Sequence, residues 1–151
     1  MSELQDLYQD LIIDHSKKPR NFGPMDDATC TADGFNPLCG DKLKLFLKIE
    51  DGVIKDVKFV GAGCAISTAS ASVMTGMLKG QTIEQAENLF ETFHYMITGP
   101  KDPQHHAEQG LGKLAVFGGV SEFPARVKCA TLAWHTMKNA ISGKADPVST
   151  E

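Results

Sequence analysis

DKLKLFLKIEDGVIKDVKFV, residues 41–60, sets the architecture expected of this chain. Leu43, Leu45, Leu47 and Ile49 alternate with Lys42, Lys44 and Lys48. That period-two pattern belongs to a strand with one face in a core and the other in water. Asp51-Gly52 then supplies a two-residue turn, because glycine tolerates the positive φ that a type I′ turn demands. Val53 to Val60 returns as the partner strand, with Val57 and Phe59 on one face. The stretch reads as an antiparallel hairpin.

Upstream, a weakly alternating strand is expected over Ala28–Phe35, preceded by a loop over Asn21–Asp27. The N-terminal segment reads as a helix. Ser2 and Gln5 form a capping box, Leu4, Leu7, Tyr8, Leu11 and Ile12 recur at helical spacing, and Pro19 stops it. Downstream, Gly61-Ala62-Gly63-Cys64 is a tight turn into a small, hydroxyl-rich helix running through Lys79 and ended by Gly80. Thr82 and Gln85 cap a further helix with Ile83, Ala86, Phe90, Phe93 and Ile97 on one stripe, ending before Gly99-Pro100. Residues 99–119, rich in glycine and proline, form a long excursion with a short helix expected around Pro103–Glu108. A last helix is expected from Pro124 to Ile141, with Gly143 as its stop and a frayed tail from about 143. The fold class is α+β: a small antiparallel sheet of about three strands packed against helices, as one domain over 1–151.

The composition agrees with a globular domain. Apolar residues make up 42% and charged residues 23% of 151 positions, enough to build one core. Fifteen basic against nineteen acidic residues leave a formal charge of −4, so no broad basic field exists to hold nucleic acid or an anionic membrane. No apolar run approaches the roughly 20 residues of a membrane helix. The start, MSELQDLYQD, lacks the basic-then-apolar order of a secretory signal, and a cytoplasmic location is expected.

Of the four cysteines, none forms a C-x-x-C pair. In a reducing compartment scattered cysteines serve as ligands, nucleophiles or core filler more readily than as disulfides. Cys39 stands at the entrance to the hairpin, Cys64 follows two glycines and precedes a helix, and Cys129 lies early in the last helix with Arg126 and Lys128 beside it. A helix N-terminus and nearby cations both favour a thiolate. Three such thiols from separate elements can converge on one soft or borderline metal. Asp41 is the candidate fourth ligand: it lies two residues from Cys39, and if the backbone there is extended both side chains point the same way. Spacing alone leaves open the other reading, inert cysteines beside a functional surface elsewhere.

Three strings bear on that choice: Asn36-Pro-Leu-Cys-Gly-Asp41, Gly61-Ala-Gly-Cys-Ala-Ile-Ser-Thr-Ala-Ser-Ala-Ser72 and Arg126-Val-Lys-Cys-Ala-Thr-Leu-Ala-Trp134. In sequence and order they resemble the three cysteine motifs of the IscU/SufU family of iron–sulfur cluster assembly proteins, and the likeness runs from about Leu4 to Ile141. Lys128 stands where the IscU branch is known for a histidine. The 64 residues between Cys64 and Cys129 match the insertion of the SufU branch, with the 99–119 excursion as its natural place.

The resemblance implies zinc on Cys39, Asp41, Cys64 and Cys129, and it implies that Cys39 accepts sulfur from a SufS-type cysteine desulfurase. Other SUF scaffold proteins are further expected partners. Arg126 is a candidate supporting cation for the thiolate or the partner, or else one half of a structural ion pair. The alternative is a scaffold on which a [2Fe–2S] cluster is assembled on the same thiolates. A hydrolytic zinc enzyme would need a general base that no residue clearly supplies.

The remaining candidates read as structure. Cys30 belongs to no motif and reads as packing; His105-His106 reads as a solvated loop; His15, His94 and His135 read as surface or boundary residues of helices. Trp134, Phe90 and Phe93 read as core, and Lys42, Lys44 and Lys48 as a solvated sheet face. The Ser/Thr-rich run after Cys64 reads as small-residue helix packing, because the G-K-[ST] ending of a phosphate loop is missing.

Overall fold

A computed structural model describes residues 3–37, 40–98, 117, 124–143 and 148–149. The order is α1 (Glu3–Lys17), β1 (Cys30–Asn36), β2 (Asp41–Glu50), β3 (Val53–Ala62), α2 (Ala65–Leu78), α3 (Ile83–Thr98), α4 (Pro124–Ser142) and β4 (Val148–Ser149). The strands form one sheet in the order β3-β2-β1-β4.

The central hairpin is as the alternation dictates. Leu43, Leu45 and Leu47 are buried and Lys42 and Lys44 exposed. Both turn residues carry positive φ, 54° at Asp51 and 74° at Gly52. In β3 the inward residues Ile54 and Val57 stand three apart, a spacing that a regular strand would send to opposite faces. A register shift between Lys48 and Ile49 absorbs the odd residue and returns Val57 and Phe59 to the inner face.

β1 runs antiparallel to β2, from Cys30 opposite Leu47 to Asn36 opposite Asp41. It starts two residues later than its weak alternation indicates and extends one further, because pairing with β2, not local propensity, sets its limits. Within the tail expected to fray, Val148–Ser149 pairs in parallel with Gly34 and Phe35, on the edge of β1 that β2 leaves open.

One face of the sheet is covered by helices. Ala32, Leu43, Leu45, Leu47, Ile54, Val57 and Phe59 meet Ala69, Val73, Met74 and Leu78 of α2 and Leu132, Trp134 and Met137 of α4 in one core. Each Leu-sized side chain so buried contributes about 1.5–3 kcal/mol. Trp134 is fully buried and stacks on Phe93 of α3 with ring centroids 4.8 Å apart. The capping box at α3 is present: Thr82 N–H donates to Gln85 Oε1 (2.9 Å) and Gln85 N–H to Thr82 Oγ1 (3.1 Å).

The hydroxyl-rich face of α2 is buried, and Ser70, Ser72 and Thr75 each find hydrogen-bond partners there. Ser70 Oγ accepts from Trp134 Nε1 at 3.2 Å and donates to the Ala130 carbonyl, which locks α2 to α4. Small residues here let two helices approach while keeping polar partners in reach. The proposed short helix at 103–108 and the histidines 105 and 106 lie outside the described residues. Phe117 is described and fully buried, with its ring 6.1 Å from that of Phe93. Among the described residues no helix is long and apolar enough to cross a membrane.

Candidate metal centre

Asp41, Cys64 and Cys129 bring one carboxylate oxygen and two sulfurs within 4.8 Å of one another. Each comes from a different element, and each is placed by a local rule. Asp41 opens β2 with the same parity as Leu43, Leu45 and Leu47, so its carboxylate faces the helices and is 1% exposed. Cys64 is the N-cap of α2, with extended backbone (φ −70°, ψ 167°), and its Sγ accepts the Ser67 N–H at 3.4 Å. Cys129 lies in the second turn of α4, on the face turned to the sheet, and is 3% exposed.

Hydrogen bonds hold the donors in place. Asp41 Oδ1 accepts the Cys64 N–H at 2.7 Å, and its Oδ2 lies 3.8 Å from Cys64 Sγ. One oxygen is tied to the helix cap and the other faces the sulfur. Gly63 makes that approach possible: a Cβ there would stand 2.5 Å from Asp41 Oδ1 and 3.0 Å from its Cγ. Cys129 Sγ accepts from the amide Nδ2 of Asn36, itself fully buried, at 3.6 Å.

The donor set fits a thiophilic divalent metal. Two sulfurs and a carboxylate are the ligand types of tetrahedral zinc, with bonds of about 2.3 Å to sulfur and about 2.0–2.2 Å to oxygen. Asp41 is a buried carboxylate, and among the described residues no lysine or arginine forms an ion pair with it. Burying such a group uncompensated is costly, and a cation between it and two thiolates removes that cost.

Of the residues singled out in the sequence, Asp41, Cys64 and Cys129 come together, while Cys39 lies outside the described residues. Arg126 is exposed on α4, one turn before Cys129. Asn36, the first residue of the string that ends at Asp41, also reaches the centre. Its signal was its parity with Ala32 and Gly34, which puts a polar amide on the inner face of β1. Cys30 is half-buried and packs against the core.

His15 corrects an expectation. It is 5% exposed, and its Nδ1 lies 2.7 Å from Ser72 Oγ, which also accepts the Arg20 N–H at 2.8 Å. A small hydroxyl on α2 opens the space that draws this histidine inward, where a larger side chain would have kept it at the surface. His94 and His135 are boundary residues, as their helical positions imply.

The model of the NifU-like N-terminal domain family matches residues 7–130. The zinc-dependent sulfurtransferase SufU of Bacillus subtilis (strain 168) is 40% identical over 93% of this chain and 93% of its own. A protein of Streptococcus pyogenes serotype M1 named as the iron–sulfur cluster assembly scaffold protein IscU is also 40% identical, over 97% of this chain and 89% of its own. Among solved structures, one described as a candidate iron–sulfur cluster assembly scaffold protein for the SUF system, from Fervidobacterium islandicum AW-1, superposes with a TM-score of 0.82. It is 34% identical and covers 91% of this chain and 98% of that one.

Proposed function

The chain belongs to the NifU-like N-terminal domain family of iron–sulfur cluster assembly proteins, and on that premise we propose that it is a zinc-dependent sulfur acceptor serving a SufS-type cysteine desulfurase. The observation that carries the reading is the convergence of Asp41, Cys64 and Cys129 from three elements. Cys39 would complete the donor set as fourth ligand, two residues before Asp41. Bound there, zinc keeps thiols deprotonated near neutral pH and guards them from oxidation.

Cys39 is the acceptor in this reading. The desulfurase carries a persulfide on its own cysteine. The Cys39 thiolate attacks the outer sulfur, forming a new sulfur–sulfur bond as the old one breaks and the desulfurase thiolate leaves. No external oxidant or reductant is consumed. Asp41 is suited to a centre that opens, because a carboxylate is a harder donor than a thiolate and is held here by the Cys64 N–H. Arg126, exposed on α4 one turn from Cys129, would be the supporting cation toward an anionic persulfide or the partner in this reading.

Metal analysis of protein made without added iron, followed by desulfurase assays with cysteine, tests this. Zinc near one equivalent, stimulated sulfide release and its loss in Cys39→Ala are expected; parent-like stimulation by that variant overturns the acceptor role. Asp41→Ala is expected to lower both metal retention and stimulation. The scaffold reading is favoured by a relative of equal identity named for that role. A coloured, iron-containing sample with sulfide-dependent visible absorption would favour it over zinc.

A further inference from the structure

Asn36 and Asp41 face each other as the last register pair of β1 and β2, so the connection carrying Cys39 is bounded by two buried polar side chains. The two make parallel contacts. Asp41 reaches the cap of α2 at Cys64, and Asn36 reaches Cys129 of α4 through its amide. Resting on the metal-centre reading above, we propose that Asn36 is a positioning residue that holds the Cys129 sulfur by an N–H···S hydrogen bond and tunes it as a metal ligand.

The chemistry favours this role. A metal-bound thiolate retains lone pairs that accept hydrogen bonds, and a donor aimed at it fixes its direction and withdraws electron density. An asparagine amide is fully buried here, with the surrounding fold setting its orientation, so little entropy is lost when the sulfur engages. The contact also works when Cys39 is engaged elsewhere, because it joins β1 to α4 without passing through the connection between the strands. Asn36 thus acts on the sulfur that stays.

Zinc affinity by chelator competition and the thiolate-to-metal absorption of cobalt-loaded protein test the proposal, with melting of the metal-free protein as a check on folding. Asn36→Ala and the similarly branched Asn36→Leu are expected to weaken zinc binding roughly 10–100-fold. They should also shift the cobalt–thiolate band to lower energy, because a sulfur without its donor is more electron-rich. In a Cys129→Ser background, Asn36→Ala should change zinc affinity by less than about 2-fold, the signature of an effect that passes through that sulfur.

Asn36→Ser, which retains a small donor, is expected to fall between Ala and the parent and serves if the apolar variants do not fold. Parent-like affinity and spectrum in Asn36→Ala, or the same loss in both backgrounds, overturns the proposal. If Cys129→Ser itself binds zinc as tightly as the parent, the metal-centre reading fails and takes this inference with it. Loss in Cys129→Ser with none in Asn36→Ala overturns this inference alone.

Discussion

The carboxylate of Asp41 can rest on the cap of α2 only because residue 63 has no side chain. A methyl group there would stand 2.5 Å from Oδ1, too close, and push the carboxylate off the Cys64 N–H. Gly63→Ala is therefore expected to keep the fold and weaken zinc binding at least about 10-fold, as loss of an orienting partner does; chelator competition against the parent measures it. At this scale the chain was unevenly legible. Cys64 and Cys129 stood in recognisable strings, and Asp41 was singled out by standing two residues after Cys39 in another. His15 did not show itself, and Asn36, though it opens the first string, gave no sign of its contact, because what defines each is a partner far away in sequence: Ser72 for one and Cys129 for the other.

Among the elements, the α3–α4 contact holds two histidines whose titration is shifted toward lower pH. The rings of His94 and His135 lie 5.4 Å apart, each also against Phe90, with the Lys138 ammonium 4.9 Å above that ring. Burial, with Lys138 as a smaller contribution, holds His94 below the usual 6.5, and for His135 the neighbouring His94 adds to the same effect. Both histidines are therefore more readily protonated in the unfolded chain, which then binds more protons than the native state. Their contribution to stability is complete above pH 6.5 and is lost as pH falls through the native values. Urea denaturation at stepped pH should show stability declining below about 6.5, with a shallower decline in His135→Phe; equal slopes would remove the pair from the account. Asp14, held below its ordinary value by its bond to Arg20, and Asp27, held down likewise by Lys48, act at lower pH and leave this window to the histidines.

For the molecule as a whole, the candidate metal centre gathers donors from the sheet, α2 and α4 where they meet, so an ion bound there would tie the three together. Zinc at 1,000 times its dissociation constant would add about 4 kcal/mol to the native state. Stripping it with a chelator is expected to lower the melting temperature of the parent strongly and that of Cys64→Ser or Cys129→Ser little; calorimetry with and without chelator checks both. The sequence by itself determined the hairpin, the four described helices and their order, since alternation, caps and breakers act over a few residues and are written locally. It also carried the family resemblance, through three short strings in register. The bulge that returns Val57 to the core, the pairing of Val148–Ser149 and the buried contacts of His15 and Asn36 were decided only by tertiary structure. Each depends on which distant group arrives beside a residue, and local periodicity holds no record of that. The meeting of Asp41, Cys64 and Cys129 within 4.8 Å is of the same kind: their types were legible, their distances were not.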